Sequence, residues 1–279
     1  MTKTVAIQGD QASFHDIAAT QLFGEAGRVY CDSFASTFQA VADGKADAAL
    51  CAIENSLYGS INEVYDLLLA HNLLITGEVF LRIEQCLIGL PGAKSSQIKK
   101  VYSHPVALAQ CEAYLDTKLA QAEREEHHDT AASAALIKEL NDPSVAAIAS
   151  REAAELHGLT VLASSIETNK ENYTRFVSLG KTEQTGPKDK TSLVLELGHE
   201  PGTLYAFLGA FARRSINLSK LQSRPIVGKA WHYIFYVDIE AGSDEPLFKE
   251  ALAELEALDC TPTVLGSYEA GDKSLTLAD

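Results

Sequence analysis

Through its first two thirds the chain alternates short apolar runs with segments of helical period, and this pattern restricts the fold more than any other feature. Val5-Ala6-Ile7 reads as a strand, followed by a helix through Ile17 and Phe23. Phe34, Phe38 and Val41 recur at helical spacing until Gly44. Ala48 to Ile53 is a buried strand, and Ile61, Val64, Tyr65 and Leu68 line one face of the next helix. Leu73 to Leu90 holds two strand-like runs, and Val101-Tyr102 leads into Ser103-His104-Pro105 and a helix with Leu108, Cys111 and Leu115 inward. Asp129 can cap the alanine-rich helix after it. Val145 to Ala149 is another strand, with a helix ending at Gly158. Such alternation predicts parallel sheets covered by helices, with ligands at the carboxyl ends of the strands. Glu54-Asn55-Ser56, Ser103-His104-Pro105 and Asp129-Thr130 all fall at those ends, which predicts one shared site.

The pattern changes after Thr182 to Lys190, a polar stretch (TEQTGPKDK) with Gly and Pro and no periodicity, read as a linker. Beyond it the expected order is strand 191–197, helix 202–214, strand 216–223, strand 231–239, helix 246–258 and strand 262–268. Pro201 and Pro246 suit helix starts, and Leu204, Phe207, Leu208 and Phe211 form an inward stripe. Trp231, Tyr233, Phe235, Val237 and Ile239 alternate as one strand face, although Ile234 and Tyr236 make the other face apolar too. A βαββαβ order is a small ferredoxin-like domain. The division expected is a domain over 1–182, a linker over 183–190, a second domain over 191–270 and a loose tail over 271–279.

Composition narrows the function classes. With 279 residues, 46% of them hydrophobic, the chain can bury a large core. A formal net charge of -15 argues against nucleic acid or an anionic membrane as partner. An anionic ligand would have to find local donors against that field. The start Met1-Thr2-Lys3-Thr4-Val5 runs into a strand without an apolar signal core, and no later run reaches membrane-spanning length. Cys31, Cys51, Cys86, Cys111 and Cys260 are widely spaced and read as buried free thiols of a reducing cytoplasm. The eight histidines show no metal-binding spacing, so a metal enzyme is not expected.

Asn172-Tyr173-Thr174-Arg175-Phe176 puts a hydroxyl beside a guanidinium between two aromatic rings, at the start of an apolar run. In a strand, Thr174 and Phe176 share one face and Arg175 takes the other. A strand end at a cleft could then offer the hydroxyl to a reacting group; an ordinary strand start with a surface arginine is the plainer alternative.

Taken in order, these segments resemble prephenate dehydratase with a C-terminal ACT regulatory domain. The resemblance is carried by Gln8-Gly9 with Ser13-Phe14, by Glu54-Asn55-Ser56 with Gly59, and by Tyr102-Ser103-His104-Pro105 with Gln110-Cys111. It continues through Asp129-Thr130-Ala131, Ala146 to Ser150 and Asn172 to Phe176, then Pro201-Gly202-Thr203-Leu204, Asn217-Leu218 and Ser223-Arg224-Pro225. It implies an α/β fold with a two-lobed, periplasmic-binding-protein-like catalytic domain and a ferredoxin-like ACT domain. It also implies a carbon–oxygen lyase that converts prephenate to phenylpyruvate with loss of carbon dioxide and water, without a cofactor.

By that resemblance Thr174 meets the departing hydroxyl, while Asn55, Ser103 and Gln110 orient the substrate or Thr174. Arg175 is either the carboxylate partner or one half of a structural salt bridge. Ser13, Phe14, Ser56, Thr130 and Phe176 are candidates for substrate contact; the helix-capping or core role of Ser56, Thr130 and Phe176 is the alternative. His104 reads as structural, Glu54 as fixing a loop, and Gly9 lacks the glycine triplet of a dinucleotide site. In the second domain Gly202, Leu204, Asn217, Leu218, Ser223, Arg224 and Pro225 should form a phenylalanine pocket at an interface between ACT domains. That predicts feedback inhibition and a homodimer or homotetramer. Three departures stand out: Ala12 replaces a usual glycine, His15 a small hydroxyl residue, and Gln222 a glutamate. The rival readings are an arogenate dehydratase, which differs by an amino group in place of the keto group, and a non-catalytic binder of carboxylates or amino acids.

Overall fold

The computed structural model describes residues 3–196, 200–226, 228–229, 231–257, 260 and 262–273. By its internal contacts the chain forms two compact units, one of Met1–Leu67, Val79–Phe176 and Asp272–Asp279, the other of Leu68–Glu78 and Val177–Gly271. It opens with β1 (Thr4–Gln8), α1 (Phe14–Phe23), β2 (Gly27–Cys31), α2 (Phe34–Ala42) and β3 (Ala48–Asn55), then a short β4 (Gly59–Ser60), α3 (Asn62–His71) and β5 (Leu74–Arg82). There follow β6 (Cys86–Gly89), β7 (Lys100–Ser103), α4 (Pro105–Gln110), α5 (Glu112–Lys118), β8 (Glu123–Glu126), α6 (Thr130–Leu140), β9 (Val145–Ala149), α7 (Arg151–His157) and β10 (Thr160–Ala163). The chain then returns as β11 (Tyr173–Gly180).

These strands make two sheets, and each sheet is a lobe. The first has the order β2-β1-β3-β11-β5 with β4 beside β3, the second β10-β6-β9-β7-β8. The chain crosses between lobes twice, from β5 to β6 and from β10 to β11, so the fold is a two-lobed α/β one. In the first lobe β1 runs parallel to β2 and β3, as the alternation predicts. The second lobe departs from that expectation: β6 pairs antiparallel with both β9 and β10. Only Ile83, Glu84 and Gln85 link β5 to β6, and without a helical crossover nothing forces β6 into a parallel direction.

Local chemistry accounts for the elements. Ser33 and Ser36 form a reciprocal capping box at α2, Asp129 accepts from Ala131 and Ala132 at α6, and Ser150 caps α7, which stops at Gly158 in the left-handed region. Strands β6 and β9 are buried on both faces, which is why they read as unbroken apolar runs. Ile88 and Ala147 pack under α6 and α7, while Leu87 and Ile148 pack with Leu108 and Leu115 from α4 and α5. Ala12, at φ 64, puts its methyl among the residues beneath α6 and α7, and its carbonyl accepts from Ser150 Oγ at 2.8 Å. The methyl that makes the left-handed backbone costly is thus also buried.

The other unit contains β12 (Lys190–Glu196), α8 (Thr203–Ala212), β13 (Leu218–Pro225), β14 (Tyr233–Ile239), α9 (Pro246–Glu256) and β15 (Thr263–Tyr268). The order β13-β14-β12-β15 is the ferredoxin-like arrangement of a βαββαβ chain. Phe207 and Phe211 of α8 and Phe248 and Leu255 of α9 bury against Leu193, Leu195, Val237 and Ile239. One expectation is corrected here: Trp231 precedes β14 and is 80% exposed, because its backbone, at φ 64, has left the strand conformation. Residues 274–279 of the expected tail, with Leu197 and Leu258 at the expected ends of a strand and a helix, lie outside the described residues.

Candidate active site

The carboxyl end of β1 turns through Gly9, whose φ of 90 suits glycine, into a loop closed by Ser13, which accepts from Asp16 N at 3.3 Å to cap α1. This loop, the end of β3, and the starts of α4 and α6 enclose a cavity of about 750 Å³ within one compact unit. That is ample for a small dicarboxylate. From the first lobe come Ser13, Phe14, His15, Asn55, Thr174 and Phe176; from the second, His104, Gln110, Asp129 and Thr130.

Asn55 is bonded at both ends of its amide. Its Oδ1 accepts from the backbone N–H of Leu57 (3.0 Å) and Tyr58 (3.1 Å), which fixes the amide the right way round. Its Nδ2 then has two hydrogens for three acceptors within reach, Asn172 Oδ1 at 2.8 Å, Thr174 Oγ1 at 3.0 Å and Tyr173 O at 3.2 Å. Since Thr174 Oγ1 is already an acceptor there, its own hydrogen is available to another acceptor. Thr174 and Phe176 share a face of β11 as the alternation predicts, and both line the cavity. Ser56 anchors the start of this strand: Oγ donates to Glu171 O at 2.6 Å and accepts from Tyr173 N at 2.9 Å.

Across the cavity, Gln85 Nε2 donates to Gln110 Oε1 at 3.1 Å, which turns the Gln110 amide hydrogens elsewhere. Asp129 Oδ1 takes the N–H groups of Ala131 and Ala132 at 2.7 and 3.0 Å. Capping of α6 thus falls to Asp129, and Thr130 is left to line the cavity. His104 caps α4, its Nδ1 accepting from Val106 N at 3.3 Å, and burial lowers its pKa.

Several predicted residues are not in the cavity wall. Arg175, 6% exposed, faces Glu54 Oε2 at 3.9 Å, as strand alternation directs. Ser103 is fully buried and donates to Ile148 O at 2.7 Å. Ser56 serves the strand start already described. Among the described residues no lysine or arginine lines the cavity, whereas Asp10, Asp32 and Asp129 do. An anion there meets hydroxyls, amides and backbone N–H groups rather than a cation. In the second unit, Gly202 caps α8 at φ 94, Leu204 lies in the first turn, and Asn217 Nδ2 donates to Glu240 Oε2 at 2.8 Å. Leu218, Ser223, Arg224 and Pro225 lie on β13, where Ser223 and Pro225 are exposed and Leu218 and Arg224 half-buried.

Sequence reasoning gave no role to Gln85 or Asn172, and treated His15 only as a departure. His15 Nε2 accepts from Ala52 N at 3.2 Å, and its ring meets Phe176 edge-on at 5.0 Å. Burial lowers its pKa from 6.5 to about 4. An unfolded chain therefore binds a proton between these values that the folded one refuses. Stability is expected to be level above pH 6.5 and to fall as pH drops towards 4. Thermal midpoints measured against pH check this, and the slope should weaken in His15→Asn.

Residues 5–184 match the family model described as "Prephenate dehydratase", and residues 191–257 that of the "ACT domain". An Arabidopsis thaliana protein named arogenate dehydratase 5, chloroplastic, is 41% identical over 286 residues, spanning 96% of this chain and 67% of that protein. A second from that plant, named arogenate dehydratase/prephenate dehydratase 6, chloroplastic, is 42% identical over 283 residues, 95% of this chain and 68% of its own. Among solved structures, prephenate dehydratase in complex with L-Phe from Arthrobacter aurescens gives a TM-score of 0.84 at 33% identity, covering 95% of this chain and 89% of that one. A structure described as GqqA, a novel type of quorum quenching acylases, gives 0.86 at 33% identity, covering 96% and 98%.

Proposed function

Because the chain belongs to the prephenate dehydratase family and is a dehydratase with an ACT domain, we propose that its substrate is prephenate, converted to phenylpyruvate. The observation that carries the reading is the Asn55–Thr174 hydrogen bond at 3.0 Å, which leaves the threonine hydrogen for an acceptor in the cavity. When the ring carboxylate departs as carbon dioxide, its bonding pair completes the aromatic ring and expels hydroxide from the opposite carbon. A donor at that oxygen lowers the barrier. A threonine hydroxyl is too weak an acid to release a proton outright, so it acts by hydrogen bonding or by transfer concerted with C–O cleavage. Donation from Asn55 strengthens it in that role. Solvent restores the proton that leaves as water.

Arogenate is the second reading, favoured by the names of the 41% and 42% identical plant relatives. Acyl transfer, raised by the name of one structural neighbour, gains no support from Ser103, which is buried and bonded to Ile148 O. The catalytic domain would span 1–182 and the ACT domain 191–270, joined by the linker 183–190. Phenylalanine would bind near Gly202, Leu204 and Asn217 at an interface between ACT domains and inhibit. The L-Phe complex of the Arthrobacter enzyme supports an effector of this kind.

The test is purified protein incubated with prephenate, with phenylpyruvate read by its alkaline absorbance. Turnover that falls on adding millimolar phenylalanine, with a raised thermal midpoint, is expected. Absence of product from prephenate, with turnover of arogenate, would move the assignment to the second substrate. Activity unmoved by phenylalanine, without binding, would remove the effector.

A further inference from the structure

His15 reaches the cavity with one ring nitrogen committed. Nε2 accepts the Ala52 N–H at 3.2 Å, and an imidazole nitrogen that accepts carries no proton. The single hydrogen of the neutral ring must then sit on Nδ1. Among the described residues Nδ1 has no hydrogen-bond partner, yet it is not among the sealed, unsatisfied atoms, which are Gln85 Oε1 and Asn172 Nδ2. His15 lines the cavity, and that is the open space we assign to Nδ1. The ring cannot swing away easily, because it is wedged edge-on to Phe176 at 5.0 Å and tilted against Phe34 at 5.7 Å. Burial also keeps it uncharged at neutral pH.

Position gives this donor its meaning. Phe176 lies two residues along β11 from Thr174 on the same face, about 6.6 Å further up the strand. That is close to the span of a six-membered ring carrying a substituent at each end. With Thr174 at the leaving hydroxyl, a group beside Phe176 meets the side chain on the opposite ring carbon. We propose that His15 is a specificity-determining residue: its Nδ1–H donates to the side-chain keto oxygen and disfavours an ammonium group at the same place. A keto oxygen accepts this hydrogen, whereas an ammonium has only hydrogens to offer, so donor faces donor. The inference rests on the dehydratase reading and deepens it to a choice between prephenate and arogenate.

The experiment measures kcat/KM for prephenate and for arogenate with the full chain and with His15→Phe and His15→Asn. Phenylalanine at this position keeps the ring but not the donor; asparagine can return an N–H near Nδ1. His15→Phe is expected to lower kcat/KM for prephenate about tenfold, mainly through KM, and to move the ratio of the two substrates about tenfold or more towards arogenate. His15→Asn should restore much of the ratio. Equal losses on both substrates, or an unmodified enzyme that already prefers arogenate, would overturn the proposal while leaving the dehydratase reading intact. Turnover of neither substrate by the unmodified chain would instead overturn that reading, and the proposal with it. Should His15→Phe fail to fold, the Nδ1–H resonance of the unmodified protein decides: a shift on adding phenylpyruvate supports the keto contact, and no shift overturns it.

Discussion

Thr174→Ala is expected to lower kcat about 10²- to 10⁴-fold while KM changes little, the signature of a group whose contribution appears as the C–O bond breaks. The side chain is small and 7% exposed, and its one described hydrogen bond is to Asn55, so the thermal midpoint should stay close to that of the unmodified chain. Thr174→Ser, which keeps the hydroxyl, should recover most of the rate. Asn55→Ala removes the N–H that orients this hydroxyl and also frees the N–H groups of Leu57 and Tyr58, so it should cost both rate and stability. On the proposed reading Asn55 acts through Thr174, so the double variant should be scarcely slower than Thr174→Ala alone. Steady-state rates on prephenate decide the matter. A Thr174→Ala rate within about threefold of the unmodified enzyme would remove the threonine from the chemistry.

Those two residues also show how far the sequence could be read. The period of 2 in β11 put Thr174 and Phe176 on one face and Arg175 on the other, and the cavity wall follows that division. The cap at Asp129 and the gathering of Asn55, His104 and Thr130 at strand ends were legible for the same reason: caps and strand ends leave a local pattern. What the sequence lacked was anything about pairing between distant segments. The antiparallel placement of β6 is set by which strand it meets, not by its own residues. Strands β2 and β8 were missed because neither has a buried face; β8 reads Glu-Arg-Glu-Glu, and charge of that kind guards an open sheet edge. Gln85 carries no local signal, since its part depends on Gln110, which lies 25 residues away in the chain.

The largest loss of stability is expected at a site that no local pattern announces. Lys190 Nζ sits 2.8 and 2.9 Å from the two carboxylate oxygens of Glu78 and 3.9 Å from Asp238, with the side chains 4%, 0% and 7% exposed. Ser192 Oγ donates to Asp238 at 2.5 Å and meets Tyr268 Oη at 2.7 Å, and Gly271 N donates to Glu78 at 3.0 Å. Buried charges removed from water are held mainly by one another, so truncating one partner costs about 3–5 kcal/mol, much of it the penalty on the charge left behind. Lys190 faces two carboxylates, and Lys190→Met withdraws the cation from both. Glu78→Gln leaves Lys190 still facing Asp238 and keeps an acceptor for Gly271 N. Lys190→Met should therefore be the more damaging of the two. Adding Glu78→Leu to Lys190→Met should return part of the loss, because it removes one of the two carboxylates the lysine had offset. Urea unfolding followed by circular dichroism gives the three midpoints. A double variant no more stable than Lys190→Met alone would mean that the pair does not compensate inside the fold, and that Glu78 and Lys190 are each stabilised by their other neighbours.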